Sequence, residues 1–286
     1  MKPRKLVCAA LLFLLVGAWA GTARADVLSQ LPQRAVTAQM AWGPAASAAI
    51  HPGVQTFTNG AQCTANFIFT NGVDVFIGQA AHCSGTGGQT DTNGCMTGSL
   101  PLGTKVQVGG ASQPGTMVYN SWLAMKAAHE KDANTCAGND LALVKLDRAD
   151  GPSRVNPSIP FWGGPTGVNT TGTSAGDFIY SYGNSELRLG LTELSPKVGL
   201  SLGDANGGWT HNVYTLTPGI PGDSGSAVMD ASGRALGILS TIEFTPMPAS
   251  NQFGDLGREL SYMRAHVSAL SSVQLARGTE AFAPLV

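Results

Sequence analysis

Short apolar runs broken at close intervals by turn residues constrain this chain more than any other feature. Ala65-Asn66-Phe67-Ile68-Phe69-Thr70 meets Val73-Asp74-Val75-Phe76-Ile77 across Asn71-Gly72, a strong hairpin signal. Ala227-Val228-Met229 and Ala235 to Ser240 flank Asp230-Ala231-Ser232-Gly233 in the same way. Leu141 to Leu146 and Phe178 to Tyr182 read as further buried strands. Many short strands at even spacing predict an all-β barrel or sandwich. Glycine agrees, with 37 of 286 residues, about twice the usual share of ~7 %. One helix is expected near the end. Asp255 can cap it, and Leu256, Leu260, Met263, Val267 and Leu270 recur at helical spacing.

The amino-terminal segment decides the compartment. Lys2, Arg4 and Lys5 precede an uncharged stretch from Leu6 to Ala20, and Ala23-Arg24-Ala25 follows. That order describes an export signal, 1–25, cleaved after Ala25. The apolar stretch falls short of the ~20 residues a comfortable membrane span needs, so no membrane association is expected after cleavage. Cleavage would leave 13 basic residues against 18 acidic ones. Nucleic-acid binding requires the opposite balance, and it is excluded as a function class. Residues 26–49 are Ala-rich and weakly patterned, and are read as a short propeptide or flexible arm. Residues 50–286 then form the main domain.

Cys63, Cys83, Cys95 and Cys136 would remain in the exported chain. An even number in an oxidising compartment suggests two disulfides, with three pairings formally open. Cys63 and Cys83 flank a short hairpin and are paired on that ground, which leaves Cys95 with Cys136. Zinc is the rival reading, but no close CxxC pair is present. No metal and no organic cofactor is expected.

Three segments carry chemistry in combination. They are Gln79-Ala80-Ala81-His82-Cys83, Asn139-Asp140-Leu141-Ala142-Leu143-Val144, and Pro221-Gly222-Asp223-Ser224-Gly225-Ser226. A serine hydroxyl needs an adjacent imidazole to take its proton, and the imidazole needs a carboxylate to fix its tautomer. In this order the segments resemble the chymotrypsin-type (trypsin-like) serine proteases, in particular their secreted bacterial branch, over about residues 50–270. The resemblance implies two six-stranded antiparallel β-barrels with a C-terminal helix. It implies catalysis by His82, Asp140 and Ser224 through an acyl-enzyme. The backbone N–H groups of Gly222 and Ser224 would form the oxyanion hole. Protein or peptide substrates and a monomer are expected.

The same resemblance places Pro218, Ser240, Thr241 and Ile242 at the substrate cleft, with the Ser240 hydroxyl supporting the catalytic carboxylate. Pro218 stands where trypsin-like specificity puts an acid, and Leu239 where glutamate-specific relatives carry a histidine. Small or apolar side chains are therefore the expected preference. Animal members begin their mature chain with Ile-Val-Gly-Gly, whose amino group pairs with the acid before the nucleophile. Here the nearest match is Ile50-His51-Pro52-Gly53, which follows Ala49 rather than a basic residue. Asp223 could pair with that terminus or with another group.

Two other classes compete. Gly172-Thr173-Ser174-Ala175-Gly176 matches the nucleophile elbow of α/β-hydrolases, which would make Ser174 an esterase nucleophile. That elbow must follow a strand and open a helix, whereas a strand pattern follows this one. The second is a secreted binding protein on a protease-like scaffold, without catalysis.

Overall fold

The computed structural model describes residues 40–88, 92–243 and 247–284. The expected signal segment lies outside them. So do residues 26–39 of the expected propeptide or arm, of which only 40–49 are described. The Gly43 N–H donates to the carbonyls of Pro152 and Val155, Asn156 Nδ2 donates to the Gly43 carbonyl, and Met40 and Trp42 pack against the core of the first barrel.

That barrel is built from β1 (Gln55–Thr58), β2 (Ala61–Thr64), β3 (Ile68–Thr70), β4 (Val75–Ala80), β5 (Lys105–Val108), β6 (Gly115–Asn120) and β7 (Leu141–Lys145). Two short helices, α1 (Ser121–Ala127) and α2 (Ala133–Gly138), interrupt the path from β6 to β7. Neither is evident from apolar spacing, because each is held chiefly by its cap. Asn120 accepts from the N–H groups of Trp122 and Leu123, and Asp132 from that of Thr135.

The strands run in the order β3-β4-β7-β6-β5-β1-β2, and β14 (Gln274–Leu275) adds to the outside of β3. The expected six-stranded ring emerges once β2 and β3 are seen as one bent strand. Ala65 exchanges main-chain bonds with Gly53 and Val54, whereas Asn66 and Phe67 exchange them with Gly78. The chain thus changes partner from β1 to β4 at Ala65–Phe67, and this crossing closes the circle.

The second barrel is a closed ring in the order β10-β13-β12-β11-β8-β9. Its strands are β8 (Phe178–Tyr182), β9 (Pro196–Ala205), β10 (Thr210–Thr215), β11 (Ala227–Asp230), β12 (Ala235–Glu243) and β13 (Ser250–Asp255). Helix α3 (Leu256–His266) follows directly. It stops before Val267 and Leu270, which the apolar stripe would have included; Leu270 lies in a separate 3₁₀ turn. The Asn71-Gly72 hairpin also differs from expectation. Register pairs Thr70 with Val75, which makes a four-residue loop. The Asn71 side chain accepts from the N–H groups of both Val73 and Asp74, and this local capture widens the turn.

Three buried clusters follow from strand alternation. In β4 and β7, Ile77, Ala142 and Val144 point into the first barrel. Phe76, Leu141 and Leu143 point the other way, into a cluster shared with Trp162, Tyr180, Ala227 and Ile238 of the second half. Leu256, Leu260 and Met263 of α3 join that shared layer. Ile179, Val213, Val228, Leu236 and Phe253 fill the second barrel. The central strands are therefore apolar on both faces, and the layer between the barrels is as dry as either interior.

Both expected disulfides are present, Cys63–Cys83 and Cys95–Cys136. The second closes a separation of 41 residues and ties α2 to the segment after the first. Replacing Cys95 and Cys136 together by Ala should lower unfolding free energy by about 4 kcal/mol in the loop-entropy model. Urea unfolding would register this as a lower midpoint.

Candidate active site

His82 sits in a 3₁₀ turn, Ala81–Ser84, directly after β4. Asp140 lies between the end of α2 and the start of β7. Because β4 and β7 are neighbours, with Ala80 opposite Leu141, the two residues meet at one end of the first barrel. Asp140 Oδ2 lies 2.7 Å from His82 Nδ1, and Oδ1 accepts the main-chain N–H of His82 at 2.9 Å. The Asp140 carbonyl accepts from the Ala81 N–H at 2.5 Å. The imidazole is thereby fixed with Nδ1 occupied, while Nε2 has no hydrogen-bond partner among the described residues.

Burial lowers the pKa of His82, but the charge and hydrogen bond of Asp140 outweigh it, so the value stands above the ordinary 6.5. The carboxylate thus favours the imidazolium in the folded chain. That stabilisation is complete below the ordinary histidine value and is lost as pH rises through the raised one.

Ser224 belongs to the loop Pro221–Ser226, which leads into β11 of the second barrel. The loop is fastened to the first barrel by β2. Thr64 donates its N–H to the Ser224 carbonyl at 2.8 Å and its hydroxyl to the Gly222 carbonyl at 2.8 Å. Gln62 Nε2 reaches the same carbonyl at 3.0 Å. Between these two residues, Cys63 is bonded to Cys83, the neighbour of His82. At Gly225 a Cβ would fall 2.6 Å from the Thr64 carbonyl oxygen and 2.8 Å from the Ala80 nitrogen. Only glycine admits that approach, which brings the serine loop against the strand end that carries His82.

Gly222 has φ +93°, the left-handed region that glycine enters without strain. With its carbonyl held by Thr64 and Gln62, its N–H is directed elsewhere. Among the described residues, neither the Gly222 nor the Ser224 N–H meets an acceptor. Two amides without acceptors, two residues apart on a half-buried loop, leave donors available to a ligand.

Asp223 is fully buried. It pairs with Arg188 Nη2 at 2.5 Å and Lys197 Nζ at 3.1 Å, and accepts the N–H groups of Ser185 and Ile220. Lys197, itself buried on β9, has its pKa lowered by desolvation despite the carboxylate beside it. Ile50 is buried in the first-barrel core, and its N–H donates to the Arg154 carbonyl. Arg188 and Lys197 carry no sequence motif that would have singled them out.

The expected cleft residues lie together, with one difference. Pro218 is half-buried, and its carbonyl accepts from Arg188. Thr241 donates to Glu243 Oε1, and Ile242 is 40 % exposed. Ser240 Oγ is buried without a hydrogen-bond partner among the described residues, so it does not bond the Asp140 carboxylate. Asn251, which the sequence gave no reason to notice, binds the N–H and carbonyl of Gly219 and the carbonyl of Thr241. It joins the segment after Pro218 to β12 with a neutral amide.

Ser174 lies in a turn ahead of β8, where its N–H donates to Asp177 Oδ2. No helix follows it, as the elbow reading requires. The histidine on that side, His211, has Asp204 on one ring nitrogen and Asp255 on the other, so neither is free to act as base. The sulfur atoms beside His82 are joined to each other, which removes them as metal ligands.

No protein-family model and no curated protein matches this sequence. Solved structures do. Thermobifida fusca Protease A aligns over 80 % of this chain and 99 % of its own, at 17 % identity and a TM-score of 0.52. Cellulomonas bogoriensis chymotrypsin aligns over 80 % and 98 %, at 15 % identity and a TM-score of 0.47. The likeness to the first shows the fold, which is the chymotrypsin-type double barrel of bacterial serine proteases.

Changing Asp223 to Asn would leave two buried cations without their carboxylate. Breaking a buried pair of this kind costs about 3–5 kcal/mol, and thermal unfolding of the variant should show it.

Proposed function

We propose that this chain is a secreted serine endopeptidase with Ser224 as nucleophile, His82 as base and Asp140 as orienting acid. The observation that carries the reading is the His82–Asp140 pair, with Nε2 unpartnered, beside a serine loop whose two amides are also unpartnered.

In the proposed reaction His82 Nε2 takes the Ser224 proton as Oγ attacks the peptide carbonyl. The carbonyl oxygen gains the negative charge and is met by the N–H groups of Gly222 and Ser224. The imidazolium is stabilised by Asp140, then passes its proton to the leaving amine. Water repeats the sequence on the acyl-enzyme, and the serine is released. The cleft formed by Pro218, Thr241 and Ile242, crossed by the neutral Asn251, supports a preference for small or apolar side chains. Export is supported by the two disulfides and the leader pattern. Among the described residues no helix is long and apolar enough to cross a membrane.

The test is labelling with a fluorophosphonate probe followed by peptide mapping. An adduct on Ser224 that disappears in His82→Ala supports the reading. An adduct on Ser174 would transfer it to esterase chemistry, and absence of labelling together with absence of peptide hydrolysis would favour a non-catalytic scaffold. Ser224→Ala and His82→Ala should each lose on the order of 10⁶ in kcat, and the double variant no more than either. Because the base must be neutral, kcat/KM should fall on the acid side with a midpoint above the ordinary histidine value. Asp140→Asn should move that midpoint down, as a pH–rate profile would record.

A further inference from the structure

Glu259 is the fourth residue of α3 and is completely buried. Its Oε1 accepts the main-chain N–H of Asp140 at 2.8 Å. Space for that oxygen depends on Gly254 of β13, where a Cβ would stand 2.5 Å from Oε1 and 2.9 Å from the Gly138 carbonyl oxygen. The other oxygen, Oε2, is buried with no hydrogen-bond partner among the described residues. An ionised carboxylate in such a place would be strongly disfavoured. Burial raises its pKa well above the ordinary value; the Asp140 amide pulls the other way, and the charges of Asp140 and Asp255 add to the rise. Tyr119 of β6, whose buried hydroxyl also feels this acid, brings no positive charge.

The bonds of Asp140 explain why this matters. Among the described residues its carboxylate bonds only to His82, through the main-chain N–H and Nδ1. Its carbonyl is held by Ala81, within the same turn. With the Ser240 hydroxyl unpaired, Glu259 is the one side chain outside that turn, among the described residues, that grips Asp140. We propose that Glu259 is a positioning residue for the His82–Asp140 pair: an uncharged acid that anchors the Asp140 main chain from the C-terminal helix, in the supporting place expected of Ser240. The proposal rests on the catalytic reading of Asp140 only for its effect on rate.

The experiment compares wild type, Glu259→Gln and Glu259→Leu by NMR of the His82 ring and by steady-state kinetics. Glu259→Gln keeps an acceptor and the absence of charge, so the His82 titration and kcat should stay within about twofold of wild type. Glu259→Leu leaves the Asp140 amide unpaired. The low-field Nδ1 proton resonance should then broaden or vanish, and the His82 titration should move toward the ordinary value. Its kcat should fall about tenfold or more with KM within about twofold, the pattern of a misplaced catalytic group. Should Glu259→Leu fail to fold, Gly254→Ala displaces Oε1 instead and should reproduce the same changes. A folded Glu259→Leu protein with unaltered His82 resonances would overturn the proposal. So would a shifted titration in Glu259→Gln, which would reveal a charged Glu259. If no variant and no wild-type preparation hydrolyses peptides, the protease reading fails, while the resonances still decide the role of Glu259.

Discussion

The grip of β2 on the Pro221–Ser226 loop is the interaction on which the rest of the site depends. Each barrel has its own apolar interior, and a further apolar cluster is shared between them. What fixes their mutual register at the site is a handful of polar bonds over three residues. Thr64 holds Ser224 and Gly222, Gln62 holds Gly222, and Cys63 between them is chained to the residue beside His82. Hydrogen bonds contribute only about 1 kcal/mol each in net stability. Their value here is directional, because they orient the His82 turn and the Ser224 loop, which come from separate sheets. The shared apolar layer of Phe76, Leu143, Trp162 and Tyr180 shields the seam from water, which strengthens every charge interaction along it.

Behind the seam, charge is arranged asymmetrically. The first barrel offers a carboxylate, Asp140, to an imidazole that is 23 % exposed on its side chain. The second barrel buries two cations on one carboxylate, directly under the loop that carries the unpaired amides. A carboxylate therefore lies beside His82, and two buried cationic groups share the carboxylate beside Ser224.

How much of this could be read from sequence follows from which forces are local. Alternating and two-faced apolar runs report strand and core directly, so β7, β8, β11 and β12 stand close to their expected limits. The His82, Asp140 and Ser224 segments were visible because chemistry demands particular residue types next to particular turns. Disulfide pairing followed from the hairpin between Cys63 and Cys83. Helices α1 and α2 were missed because single caps and tertiary contacts hold them, not a repeating stripe. Arg188, Lys197, Asn251 and Glu259 were missed for a different reason. Each acts on a partner between 10 and 119 positions away, and nothing in the neighbouring residues advertises such a partner. Ser240 shows the converse: its place in the pattern suggested a bond that the packing does not make.

Both counter-ions of Asp223 are supplied from within the second barrel and the loop attached to it, Lys197 from β9 and Arg188 from the segment before it. The carboxylate beside Ser224 is consequently neutralised by residues that arrive with the same sheet. Charge compensation beneath the Ser224 loop is thus local to one half of the fold, drawn from a different set of residues than the contacts that join the two halves.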